Sequence, residues 1–130
     1  MTRQLTGKHV LIVEDEYLIA LDIAHSIAAQ GAEVVGPVVT VNAALDAIAK
    51  RDVDLVILDL NLNGKLSLPV ADALADRQIP FVFTTGYGIR TVPARHASAS
   101  FLQKPVSPSV VCDELERILA AQENSRPASF

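Results

Sequence analysis

Cysteine occurs once in the 130 residues, at Cys112, so the chain can close no internal disulfide and reads as a protein of a reducing, cytoplasmic setting. No apolar run reaches the roughly 18 residues that a membrane span needs. The first residues, M-T-R-Q-L-T-G-K-H, lack the apolar segment of a signal peptide. No run of Lys or Arg is present, and 11 basic against 15 acidic side chains leave a net charge of -4. That balance offers no electrostatic footprint for nucleic acid and is too mild for a disordered acidic tail. His9, His25 and His96 are scattered, with no metal-ligand spacing to Cys112. A G-x-x-x-x-G-K-[ST] loop is also missing, which excludes a P-loop nucleotide site. The expectation is a soluble cytoplasmic protein that binds neither nucleic acid nor membrane.

What is present is aliphatic. Half the residues are hydrophobic and only 5% aromatic, so the core must be built from Ala, Val, Leu and Ile. The length suits a single domain with a sizeable core. The stretch Asp52 to Asn61, D-V-D-L-V-I-L-D-L-N, has the short, unbroken apolar run of a strand buried on both faces. Where that run gives out stands a carboxylate, Asp59.

Around it, strands and helices alternate. His9 to Val13 reads as a strand that ends in three acids, Glu14, Asp15 and Glu16. A helix from Tyr17 to Gln30 follows, with Asp22, His25, Ser26 and Gln30 as its polar stripe; Leu18, Ile19, Leu21, Ile23 and Ile27 are left for burial. Glu33 to Val39 is a second strand, and Pro37 assigns it to a sheet edge. Thr40 is the expected cap of a helix that buries Val41, Ala44, Leu45 and Ile48. After the Asp59 strand, Asn61 to Lys65 reads as a loop around Gly64, and Ser67 as the cap of a helix with Pro69 in its first turn. Ile79 to Thr84 is the fourth strand and Phe101 to Gln103 the fifth. Between them Ile89 to Ser100, interrupted by Pro93, has only a short helical signal. A final helix starts at Ser107-Pro108, and Gln122 to Phe130 reads as a frayed tail, which places the domain at 7–121 and the tail at 122–130.

This alternation predicts an α/β fold: a doubly wound (βα)5 parallel sheet of flavodoxin-like order 2-1-3-4-5, with an atypical short fourth helix. That order puts the first and third strands side by side, and so brings Glu14 and Asp15 to Asp59. Three converging carboxylates repel one another unless a cation holds them, and hard oxygen donors of this kind suit Mg²⁺. Two further strand ends offer the Thr85 hydroxyl and the Lys104 ammonium, a clamp for the oxygens of a transferring phosphoryl group. Each feature alone has a plainer explanation. Acids after a strand suit the N-terminus of a helix, an Asp ending a strand is a turn residue, and Lys-Pro is a loop. Their occurrence at four different strand ends, in this order, favours the joint reading.

These residues resemble the receiver domain of bacterial two-component response regulators over roughly residues 7 to 121. V-E-D-E at Val13 to Glu16 is similar to that family's acidic motif. By resemblance Asp15 is a direct Mg²⁺ ligand, Glu14 acts mainly through water, Asn61 gives a backbone carbonyl to the metal, and Asp59 is the phosphoacceptor. Thr85 is implied as the switch hydroxyl and Phe101 as the switch aromatic. Lys104-Pro105 matches the phosphate-binding lysine and its usually cis proline. The implied partner is a sensor histidine kinase or histidine phosphotransferase whose phosphohistidine supplies Asp59, with an unknown protein target downstream. The chain departs from the family at Asn63, where proline is usual, at Ser67, where glycine is common, and in the fourth-helix region. F-T-T-G-Y at Phe83 to Tyr87 is similar to a motif of single-domain regulators, mostly alphaproteobacterial, that share such a region. Tyr87 is expected to shield an aspartyl phosphate from water.

The leading expectation is therefore a stand-alone receiver, not a classical enzyme, which carries or drains phosphoryl groups and signals through protein contacts. A binding module indifferent to phosphorylation is the alternative, and the intact set Glu14, Asp15, Asp59, Thr85 and Lys104 speaks against it. A Mg²⁺ phosphohydrolase with Asp59 as nucleophile lacks the second aspartate of a D-x-D pair, since Asn61 stands there.

Overall fold

The computed structural model describes residues 4–86 and 92–125. Along the chain run β1 (His9–Val13), α1 (Tyr17–Ala29), β2 (Glu33–Val38), α2 (Val41–Lys50), β3 (Leu55–Asp59), the two-residue strands β4 (Asn61–Leu62) and β5 (Lys65–Leu66), and α3 (Leu68–Asp76). β6 (Phe81–Thr85), a 3-10 turn at Ala94–His96, β7 (Ser100–Gln103) and α4 (Pro108–Ser125) complete the described elements. Five strands pair in parallel in the order β2-β1-β3-β6-β7, which is the expected 2-1-3-4-5 once the small β4-β5 pair is set aside. β2, with Pro37, lies at the edge. No helix among the described residues is long and apolar enough to cross a membrane.

The sheet is covered on both faces, so its central strands alternate between two cores rather than between core and water. Val10, Ile12, Leu55, Ile57 and Val82 pack with Ile23 and Ile27 of α1 and Val111, Leu115 and Leu119 of α4. Leu11, Val13, Val56, Leu58 and Phe83 pack with Ala44 and Ile48 of α2 and Val70 and Leu74 of α3. All five residues of β3 are buried. Each fully buried Val, Leu or Ile side chain contributes about 1.5–3 kcal/mol, and this anchors the strand that ends in Asp59.

Several expectations need correction. On α1, Leu18 is 76% exposed and Leu21 only half-buried; Ala20 and Ala24 join Ile23 and Ile27 on the buried face. Small side chains there let the helix lie close to the sheet, and hydrophobicity alone does not reveal which face that is. Asn61 to Lys65 is no plain loop. It forms the β4-β5 hairpin, with Asn63 (φ 52°) and Gly64 (φ 90°) both left-handed at the turn, as an Asn-Gly pair permits. Ser67 makes no side-chain cap to α3, although Thr40 caps α2 as expected by accepting from Ala43 N at 3.0 Å. The final helix runs on to Ser125, so Gln122 to Ser125 continue it where a tail was expected.

Residues 92–99, the described part of the segment before β7, are fastened rather than α-helical. They hold only the 3-10 turn, where His96 is buried with its ring edge-on to Phe81 and Phe83. Asp72 of α3 binds both neighbours in that turn. It accepts from Arg95 Nε and Nη2 at 2.8 and 3.1 Å, and lies 2.7 Å from His96 Nε2. The Arg95 and His96 contacts hold the Asp72 carboxyl down at about 2. An exposed ion pair alone is worth little, but a buried ring nitrogen deprived of its partner costs roughly 1–3 kcal/mol. Asp72→Ala is expected to raise amide hydrogen exchange across residues 92–99 while the sheet strands keep their protection; equal exchange in both proteins would remove Asp72 as the fastening.

Candidate functional site

The parallel register brings the carboxyl ends of β1, β3, β6 and β7 to one edge, with Val13 opposite Leu58, Asp59 opposite Thr84 and Thr85 opposite Gln103. This is where ligands bind in open α/β sheets. Glu14 follows β1, held by its N–H to the Val38 carbonyl at 3.0 Å. Its carboxylate accepts the Glu16 N–H at 3.0 Å and the Lys104 ammonium at 2.9 and 3.1 Å. Asp59 Oδ1 accepts the Asn61 N–H at 3.1 Å and Oδ2 accepts Lys104 Nζ at 2.9 Å. Asp15 Oδ2 accepts the Asn63 N–H at 2.9 Å. One oxygen from each of Glu14, Asp15 and Asp59 lies within 4.8 Å of the others. Glu14 and Asp59 are almost wholly buried and Asp15 is half-buried.

Thr85 is buried at the end of β6, and its carbonyl accepts the Lys104 N–H at 2.8 Å, tying the two strand ends together. The Lys104-Pro105 bond is cis. Phe101, on β7, stacks on Phe83 with centroids 5.1 Å apart. The structure thus gathers Glu14, Asp15, Asp59, Asn61, Thr85 and Lys104 at one edge of the sheet and places Phe101 on the neighbouring strand. Tyr87 lies outside the described residues.

Burial dominates the electrostatics. It pushes the Glu14 carboxyl up to about 7, against the pull of Lys104 and the Glu16 N–H, with the charge of Asp59 adding to the rise. Asp59 is likewise raised by burial, opposed by Lys104 and the Asn61 N–H. Burial pushes Asp15 upward too, but its contacts with Glu14 and the Asn63 N–H outweigh this and leave it below the usual range. Lys104 moves the other way: burial disfavours its charge, and the contacts to Glu14 and Asp59 more than restore it, raising its pKa. One ammonium cannot neutralise three carboxylates, so the set remains anionic and its oxygen donors fit a hard divalent cation.

Three features were not foreseen. Asn63, noted only as a departure, supplies the N–H that holds Asp15; the Asn-Gly dipeptide was the available signal for this hairpin. The Ser67 hydroxyl donates to the main-chain carbonyl of Asp59 at 2.7 Å, a contact eight residues away that no local pattern announces. The Thr84 hydroxyl is buried without a hydrogen-bond partner, beside a cavity of about 120 Å³ that Glu14 and Lys104 also line.

Residues 10–116 match the response regulator receiver domain. The chain belongs to that family. It is 40% identical to SdrG of Sphingomonas melonis Fr1, whose solution structure superposes with a TM-score of 0.75 over 92% of this chain and 99% of SdrG. The transcriptional regulatory protein PdtaR of Mycobacterium tuberculosis is 29% identical over 120 residues, 92% of this chain and 58% of PdtaR. The phyllosphere-induced regulator PhyR of Methylorubrum extorquens is 31% identical over 121 residues, 90% of this chain and 45% of PhyR. The chain thus spans about half the length of these curated relatives. The family and the carboxylate cluster together make this a site capable of metal-assisted phosphotransfer.

The raised Glu14 sets a pH dependence. A carboxyl whose folded pKa exceeds its unfolded value of 4.5 makes folding less favourable as pH rises from 4.5 towards about 7. Metal-free wild type is therefore expected to lose Tm relative to Glu14→Gln across that window, and Mg²⁺ to reduce the difference. A Tm gap that stays constant from pH 5 to 8 would show that Glu14 is not perturbed.

Proposed function

We propose that Asp59 accepts a phosphoryl group from a phosphohistidine on a sensor kinase or phosphotransferase, and that the chain works in the cytoplasm as a stand-alone receiver signalling through protein contacts. The observation that carries this is the placement of the buried Asp59 carboxylate, 2.9 Å from the Lys104 ammonium, within one cluster with Glu14 and Asp15. An Asp59 oxygen attacks phosphorus, the P–N bond to the donor histidine breaks, and the imidazole leaves. Mg²⁺, when bound, neutralises charge on the phosphoryl oxygens; Asp15, Asp59 and the main-chain carbonyl of Asn61 would hold it, with Glu14 acting mainly through water.

In this reading Lys104 binds a phosphoryl oxygen once the group is in place, exchanging part of its pairing with Asp59 for the incoming charge. Thr85 donates its hydroxyl to the same group. Its carbonyl is already bonded to the Lys104 N–H, so a shift at Thr85 reaches β7 and Phe101, and the output surface includes the segment fastened by Asp72. Tyr87 shields the acyl phosphate from water. For the relative SdrG a BeF3-activated conformation has been solved, which supports beryllofluoride as a probe of the activated form here.

Phos-tag electrophoresis with acetyl phosphate and Mg²⁺ tests the acceptor. A shifted band is expected in wild type, absent from Asp59→Ala and from wild type in EDTA; an equal shift in Asp59→Ala would place the phosphoryl group elsewhere. In a decay time course of the same band, Tyr87→Ala is expected to shorten the acyl-phosphate half-life, and an unchanged half-life would remove the shield.

A further inference from the structure

Ser67 is fully buried, 8 residues beyond Asp59; its carbonyl accepts the Val70 and Ala71 N–H groups of its own helix, while its hydroxyl and N–H are spent on the strand end. The hydroxyl donates to the Asp59 carbonyl at 2.7 Å, and the Ser67 N–H donates to the Leu60 carbonyl at 2.8 Å. Two consecutive carbonyls at the end of β3 are thus held by one residue. Between Leu60 and Ser67 the chain leaves as the β4-β5 hairpin, so Ser67 closes that excursion at its base. The hairpin itself reaches back into the site at two points: Asn61 N–H to Asp59 Oδ1 at 3.1 Å and Asn63 N–H to Asp15 Oδ2 at 2.9 Å. Asn61 Oδ1 accepts the Gly64 N–H at 2.7 Å and stiffens the turn in between.

We infer that Ser67 is a positioning residue for phosphotransfer, clasping the end of β3 to the base of the hairpin so that Asp59 and Asp15 keep their places. The inference rests on Asp59 being the acceptor. A hydrogen bond to a main-chain carbonyl fixes the peptide plane that follows the Asp59 side chain. The same peptide leads directly into the hairpin whose N–H groups orient both carboxylates. Without the hydroxyl, a buried carbonyl loses its partner and the hairpin is held at its base by the Ser67 N–H alone. In-line transfer is sensitive to displacements of well under 1 Å, so the loss falls on the rate of the chemical step beyond its effect on stability.

Initial rates of labelling with acetyl phosphate at saturating Mg²⁺ test this, with wild type, Ser67→Ala and Ile48→Val compared. Ile48 is buried against the sheet from α2, away from the acids, and serves as a control for lost stability. Ser67→Ala is expected to slow labelling about 10-fold, while Ile48→Val stays within about 2-fold of wild type. Amide exchange at Asn61 and Asn63 in Ser67→Ala is expected to rise about 10-fold, with or without phosphorylation. Ser67→Cys, similar in volume but a weak donor, is expected to move both readouts the same way and carries the test if the alanine variant does not fold. A folded Ser67 variant with unchanged rate and unchanged exchange, or an Ile48→Val variant slowed as much as Ser67→Ala, would overturn the assignment. Wild-type labelling that persisted in Asp59→Ala would overturn the acceptor instead, and leaves the exchange readout to decide on Ser67.

Discussion

The Lys104 ammonium stands 2.9 Å from an oxygen of Glu14 and 2.9 Å from an oxygen of Asp59, with Glu16 a further 0.6 Å away at 3.5 Å. Both near carboxylates are buried, and burying charge is tolerated only with close pairing and further hydrogen bonds. Lys104 supplies the pairing, and the Asn61 and Glu16 N–H groups supply part of the rest. The three charged residues come from the ends of three different strands, so the pairing exists only while β1, β3 and β7 keep their register. Even so, one cation among three acids leaves a surplus of negative charge, which adds to the larger effect of burial in raising Glu14 to about 7. That surplus makes the site receptive to a divalent metal.

From this edge the arrangement continues along the sheet. Thr85 is tied to Lys104 through the main chain, Phe101 stacks on Phe83, and Phe83 meets the edge of His96. His96 and Arg95 in turn are bound by Asp72 of α3. These contacts are contiguous, but contiguity is not coupling. What they provide is a fastening of the 3-10 turn to α3 and to the aromatic side chains of β6.

Much of the fold was legible because parallel α/β sheets write their burial into composition. Central strands covered on both faces become short unbroken apolar runs, and their order follows from the handedness of crossovers and from Pro37 at the edge. The helix faces were less legible. The burial of α1 depends on Ala20 and Ala24, whose small size matters only once the distance to the sheet is set; Leu18, more hydrophobic than either, is left in water. The hairpin at Asn63-Gly64 was written locally in a strong turn dipeptide, yet what it accomplishes, holding Asp15, depends on β1 being adjacent.

The sequence by itself determined the chemistry: which carboxylates, hydroxyl and ammonium end the strands, and in what order, since residue type and strand ends are local properties. Asp59 could be singled out because it terminates the most buried run in the chain. Only the tertiary structure decided how that chemistry is held. Ser67 stands at the N-cap of α3 as expected but gives its hydroxyl to the Asp59 carbonyl, and Asp72 of α3 fastens the segment before β7. Both roles join residues separated by a turn or a whole element, at distances set by packing, and no pattern along the chain encodes that separation.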